Sequence, residues 1–182
     1  MNNFNILYWE QYKLIEKQLI DLSEYVSIDK KNYSTFSNRL IFMYLAICSE
    51  IDSVADELCE KLGANSKERY GINNKINIIL EEYENLMHWR CSTLPPYQKI
   101  NIEPFVGFKE NDTAEWWKDY NKVKHFRFKK EDNGIYNYEL ANLKNVLFSL
   151  VALYLLIIKL NCESMELSCD KFKSELFNIE HL

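Results

Sequence analysis

Apolar residues recur along this chain at three- and four-residue steps, the spacing of one helix face. Over residues 3–26, Leu7, Leu14, Ile15, Leu22 and Tyr25 form such a series, with Lys13, Glu16, Lys17 and Asp21 placed on the solvent side. The polar run IDKKNYST then breaks the pattern. A second series, Leu40, Tyr44, Ile47, Cys48, Ile51, Val54, Leu58 and Leu62, predicts a helix over 34–62 that Gly63 stops at a C-cap position. Ile76, Ile79, Leu80, Tyr83 and Met87 predict a shorter helix over 72–89. Pro95 and Pro96 end regular structure, and residues 91–111 read as the longest irregular connection, with KINIEPFVGF a candidate extended stretch. Asp112 with Glu115 predicts the cap of a fourth helix, which carries Trp116, Tyr120 and Val123 on one stripe and Trp117, Asn121 and His125 on the next. Gly134 marks a turn, and the final long helix, over 138–161, is apolar nearly all round, which predicts the centre of a bundle.

Composition narrows this to one architecture. Only four Gly and three Pro punctuate 182 residues, too few for a turn-rich β fold. The expectation is an all-α, single-domain antiparallel bundle of four to five main helices spanning 1–182. Its core covers about 36–160, and an amphipathic tail over 163–182 either packs back or contacts a partner. The apolar run 146–158 is 13 residues between Lys144 and Lys159, shorter than a membrane span needs, so it reads as a buried core helix with no membrane association. Five cysteines without a CxxC pair or a leader read as reduced thiols of a cytoplasmic protein. Net charge is −5, so a polyanion site must be local.

The chemistry concentrates in TAEWWKDYNKVKHFRFKK, residues 113–130. Six of the 22 Lys and Arg residues follow Trp117 within thirteen positions, and Asn121 and His125 lie one helical turn apart. An amide, an imidazole and dense positive charge on one face suit binding or chemistry at a phosphate. The same spacing also fits a histidine held by a nearby carbonyl beside lysines that only solvate a loop. P-loop, dinucleotide-binding turn, HExxH and GxSxG patterns are absent from the sequence, and neither a metal nor a cofactor is expected. The i,i+4 acids Asp52, Asp56 and Glu60 read as a solvated helix face. Glu50 falls beside the apolar stripe, so a half-buried carboxylate with a partner is expected there, either His125 or a cation such as Arg39 or Lys124. Among Trp116, Trp117, Phe126 and Phe128, Trp116 and one phenylalanine are expected in the core, leaving the others to stack on bases.

The phrases SEIDSVADELC, WWKDYNKVKHFR and YELANLKNVLFSLVALYLL resemble bacterial members of the HEPN superfamily over about 36–160. The resemblance implies a helical domain of a toxin–antitoxin or antiviral system, acting on RNA as a metal-independent endoribonuclease. In such a protein a homodimer brings two copies of the basic motif together. On the family pattern His125 is the general acid or base, Asn121 positions the phosphate, and the arginine position falls on Tyr120. Tyr120 carries no permanent charge, so either Arg127 or Lys124 neutralises the phosphate or Tyr120 acts through its hydroxyl. Lys122, Lys124, Lys129, Lys130 and Trp117 are the expected RNA contacts, with Glu50 in support. The second reading is a catalytically silent module that binds RNA, a nucleotide, or an antitoxin or defence partner. A third is a helical scaffold that uses the tail as its interface.

Overall fold

Residues 3–108, 112–161 and 171–180 are described in the computed structural model, with side chains from Ile6 onward. Five helices dominate: α1 (Asn3–Ser23), α2 (Asn38–Lys61), α3 (Ile72–Glu82), α4 (Glu115–Phe126) and α5 (Leu143–Asn161). The chain is mostly helical but not all-α. Three short antiparallel strands, β1 (Arg90–Thr93), β2 (Asn101–Ile102) and β3 (Phe177–Glu180), form a sheet in the order β2-β1-β3. Cys91 sits opposite both Ile102 and Ile179.

The α2–α5 pair is the centre of the molecule. Ser37 caps α2 by accepting the Leu40 amide at 3.2 Å, and the apolar stripe from Leu40 to Leu58 is buried along its length. Helix α5 is buried on nearly every side, from Leu143 to Leu160. It is the one helix among those described that is long and apolar enough to cross a membrane, and its apolar stretch is covered by the rest of the protein. Helix α1 packs on α5 and α2, α3 on α2, and α4 on both members of the central pair. Lys75 of α3 reaches Asp52 and Asp56 at 3.0 and 3.3 Å, while Arg69 reaches Asp56 and Glu60. The acids of α2 thus receive cations rather than facing solvent alone.

Helix α1 follows its expected face only in part: Ile15 is buried and Leu22 packs against the core. Leu7, Leu14 and Tyr25 are exposed, whereas Trp9, Tyr12 and Leu19 are buried. Glu16, expected in solvent, is 2% exposed. Its carboxylate accepts the Tyr12 hydroxyl at 2.9 Å, the Ser174 hydroxyl, and the amides of Glu175 and Leu176 at 3.2 Å each. Tyr12 also stacks on Tyr154 of α5, whose hydroxyl donates to the Phe172 carbonyl. These contacts dock residues 171–180 against α1 and α5, with Phe172, Leu176 and Phe177 buried. That part of the tail packs back; residues 163–170 lie outside the described residues.

Candidate functional site

Helix α4 begins after Ala114, which offers no side-chain cap. Asp112, expected to cap it, instead accepts the Thr113 amide and pairs with Lys118 at 2.8 Å. The first two turns are anchored deeply. Trp116 donates from Nε1 to the Pro104 carbonyl at 2.7 Å, and the Tyr44 hydroxyl of α2 donates to the Trp116 carbonyl. Trp117 and Tyr120 pack ring to ring at 4.9 Å, with Tyr44 edge-on to Tyr120 at 6.0 Å. Asp119 accepts the Asn145 amide of α5 at 2.9 Å and stands 3.8 Å from Lys122. Burial raises the Asp119 carboxyl, and the Asn145 hydrogen bond and Lys122 oppose that rise.

Beyond Val123 the helix emerges. Asn121, Lys124, His125 and Phe126 are exposed, and Arg127 is half-buried at the C-cap with its Nε enclosed and without an acceptor. The chain then folds into a hairpin that returns along the helix end. The Lys129 amide donates to Phe126, and Asn137 donates from its side chain to the Phe126 carbonyl and from its backbone to Lys129. Tyr138 closes the hairpin through its amide to the Arg127 carbonyl at 3.0 Å. Lys130 bridges to Tyr136, and Gly134 turns the tip at φ +84°, a conformation that L side chains rarely adopt.

This hairpin presents aromatic rings and cations together. Phe128 is 80% exposed and Phe126 62%, and Tyr136 stacks on Tyr138 at 5.5 Å. Lys130 lies over the Tyr136 ring and Lys124 over the Tyr120 ring, each at 5.5 Å. Among the described residues none of Lys124, His125, Arg127, Lys129 or Lys130 joins an ion pair. The neighbouring lysines earlier in α4 do: Lys118 and Lys122 are each held by an acid. The exposed end of the helix and the hairpin therefore carry a run of cations that no acid among the described residues holds within ion-pair distance.

The residues expected at the site divide by depth. Asn121, His125, Lys124, Lys129 and Lys130 share the accessible surface, with Arg127 and Lys122 at its margin. Tyr120 does not: it is 5% exposed, and burial pushes its hydroxyl up to about 12. Trp117 is likewise 5% exposed and packs in the core, so it presents no face for a base to stack on. Both tryptophans are buried and both phenylalanines exposed, in place of the one core phenylalanine expected. Glu50 is half-buried, and burial raises its carboxyl. Its partner is the Gln11 amide of α1, whose nitrogen lies 2.7 and 2.9 Å from the two carboxylate oxygens when oriented to donate. Glu50 thus neither orients His125 nor pairs with Arg39 or Lys124. Sequence reasoning missed Asn137 and the Asp119–Asn145 bond, which hold the hairpin and α4 in place. The alternation around Gly134, with Lys130 on one side and Tyr136 and Tyr138 on the other, was the available hairpin signal.

Comparison of the chain with protein-family models, with curated proteins and with solved structures returns no match, so the reading of this surface rests on its own residues.

Proposed function

We propose that this protein is an RNA-directed domain of the HEPN-like kind, belonging to a bacterial toxin–antitoxin or antiviral system in the cytoplasm. Its working part is the basic–aromatic hairpin at the end of α4, which holds single-stranded RNA. One observation carries the reading: two exposed phenylalanines, Phe126 and Phe128, stand among cations that no acid neutralises, in a chain whose net charge is −5. Unstacked bases find π-faces on such rings, and phosphates find counter-charges on Lys124, Lys129 and Lys130. A duplex hides its base faces, so the exposed rings favour a single strand. The test is fluorescence anisotropy of a labelled single-stranded RNA against the Phe126→Ala/Phe128→Ala variant. Stacking contributes about 1 to 3 kcal/mol per base, so affinity should fall about 5- to 150-fold for each ring that holds a base. Unchanged affinity removes the reading.

The second reading is a metal-independent endoribonuclease, and the exposure of Asn121 and His125 one turn apart favours it. In that reaction the ribose 2′-hydroxyl attacks the adjacent phosphorus, the 5′ oxygen leaves, and a cyclic phosphate remains. His125 takes the 2′ proton or gives one to the leaving oxygen, Asn121 positions the phosphate, and a second protomer completes the site. Arg127, half-buried at the end of α4 two residues past His125, is the guanidinium placed to meet the developing charge. Tyr120 is too deeply placed to share that task. His125→Ala separates the readings: it abolishes cleavage under the second and leaves RNA affinity nearly unchanged under the first.

A further inference from the structure

The run of exposed aromatic rings does not end with the hairpin. Tyr138, which closes it, touches three others: Tyr136 stacks on it at 5.5 Å, Phe36 meets it at 5.6 Å and Phe128 at 6.5 Å. Phe36 comes from the segment that leads into α2. Its backbone bridges to Asn142, and the Thr35 carbonyl accepts the Leu143 amide at 2.9 Å, which ties this segment to the start of α5. A cluster that only fastened the hairpin would bury its rings. Here Tyr138 is half-buried, but Phe36 is 42% exposed and Phe128 80%. Cations flank the far ring as they flank the near one. Arg39 follows Phe36 by three residues, and Lys144 follows the bridged Asn142 by two. Both are exposed, and neither joins an ion pair among the described residues. The acids of this region are engaged or set apart. Asp119 accepts the Asn145 amide, Glu139 accepts the Tyr136 amide at 3.0 Å, and Glu131 and Asp132 lie in the turn beyond the Lys130–Tyr136 bridge.

We propose that Phe36, with Arg39 and Lys144, is a second stacking platform, so that the site takes a run of several unpaired RNA nucleotides and not a mononucleotide. This rests on the reading of the hairpin as an RNA surface. A strand laid over Phe126 and Phe128 reaches Phe36 after crossing one ring, Tyr138. Bases then stack on rings at both ends of the path, while the backbone passes Lys129 and Lys130 at one end and Arg39 and Lys144 at the other. Single-strand sites built from aromatic platforms and a basic track hold about 4 to 16 nucleotides. Neither a duplex nor a free nucleotide uses this arrangement. Paired bases offer the rings no face, and one base covers one ring. Every base has a π-face, so such a surface selects by strandedness and length and tolerates any sequence.

Fluorescence anisotropy of the full chain with a labelled uridylate oligomer of about 12 nucleotides tests this, with uridine monophosphate as competitor. The oligomer binds at least about tenfold more tightly than the monophosphate, because further bases find further rings. Phe36→Ala weakens the oligomer about 5- to 150-fold, the loss of one stacked base. Arg39→Gln/Lys144→Gln leaves the ring in place and flattens the dependence of log affinity on log salt, by about 0.7 for each phosphate contact removed. Both residues are exposed, so thermal melting shows that this variant folds as the parent does. An oligomer that binds no more tightly than the monophosphate overturns the proposal, as does unchanged affinity in Phe36→Ala. An unchanged salt slope in the charge variant overturns it too, since a Phe36 that only steadied the hairpin would alter affinity alone. In each of these cases the hairpin reading survives if Phe126→Ala/Phe128→Ala still weakens the oligomer. An oligomer indifferent to all three variants removes both.

Discussion

At the scale of single residues, depth along α4 decides what each side chain can do. Tyr120 occupies the arginine position of the resembled pattern, but it packs against Tyr44 and Trp117 at 5% exposure. Restoring the pattern by Tyr120→Arg therefore buries a guanidinium among aromatic rings. The expected result is a loss of about 2 to 4 kcal/mol in stability with no gain of ribonuclease activity, read by denaturant unfolding and an RNA cleavage assay. Next to Tyr120 in sequence and half-buried, Asp119 has its carboxyl raised chiefly by burial. The folded chain then holds that proton more tightly than the unfolded chain. Asp119 therefore costs nothing below the usual carboxylate value near 4, and its cost grows as pH rises through the raised folded value. Asp119→Asn keeps an acceptor for the Asn145 amide and removes the charge. The melting temperature of this variant should gain on the parent as pH increases from about 4 to 7; a gap that narrows over that range contradicts the assignment. No pattern of residue types announces this pair, since Asp119 and Asn145 are 26 positions apart and meet only when α4 lies on α5.

At the scale of elements, what periodicity could reveal depended on how many faces each helix offered. Helix α2 has one continuous stripe, so its core residues from Leu40 to Leu58 were legible and only its first turn was misplaced. Helix α5 was legible as the centre of the bundle because it has almost no polar face to expose. Helix α1 has apolar residues on two faces, and the expected series mixes them, with Ile15 and Leu22 inward but Leu7 and Leu14 outward. The inward face is set by Trp9, Tyr12 and Glu16, whose partners include residues 172–176, more than 150 positions away. The sheet was hidden for the same reason: β1 pairs with β3 from Arg90 to Glu180, about half the chain apart, and β2 is two residues long. Glu16 is what joins these distant pieces, taking four donors from Tyr12, Ser174, Glu175 and Leu176. Glu16→Ala strands buried donors, and its expected cost is about 3 kcal/mol. Amide exchange should then quicken over 174–180 ahead of α2 and α5. Uniform acceleration across the chain would mean that the tail is not docked through this carboxylate.

At the scale of the whole molecule, an acidic chain gathers several unpaired cations at the end of α4 and on its hairpin. Some lysines over the body of the protein are tied down, Lys75 by Asp52 and Asp56, Lys99 by Glu180 and Lys118 by Asp112. Those at the end of α4 and on its hairpin are not, and they share that surface with Phe126 and Phe128. The sequence displayed this density of charge, and His125 and Asn121 with it, because all of it is local to one segment. It did not display which aromatic rings face outward, since burial of Trp117 depends on its contacts with neighbouring rings while Phe126 has passed beyond them. The most direct measurement is amide hydrogen exchange of the full chain with and without a single-stranded RNA. The account predicts slowed exchange centred on residues 121–138, fading as salt is raised because the contacts include phosphates. Slowed exchange centred on another surface, or none at RNA concentrations that saturate binding, would contradict it.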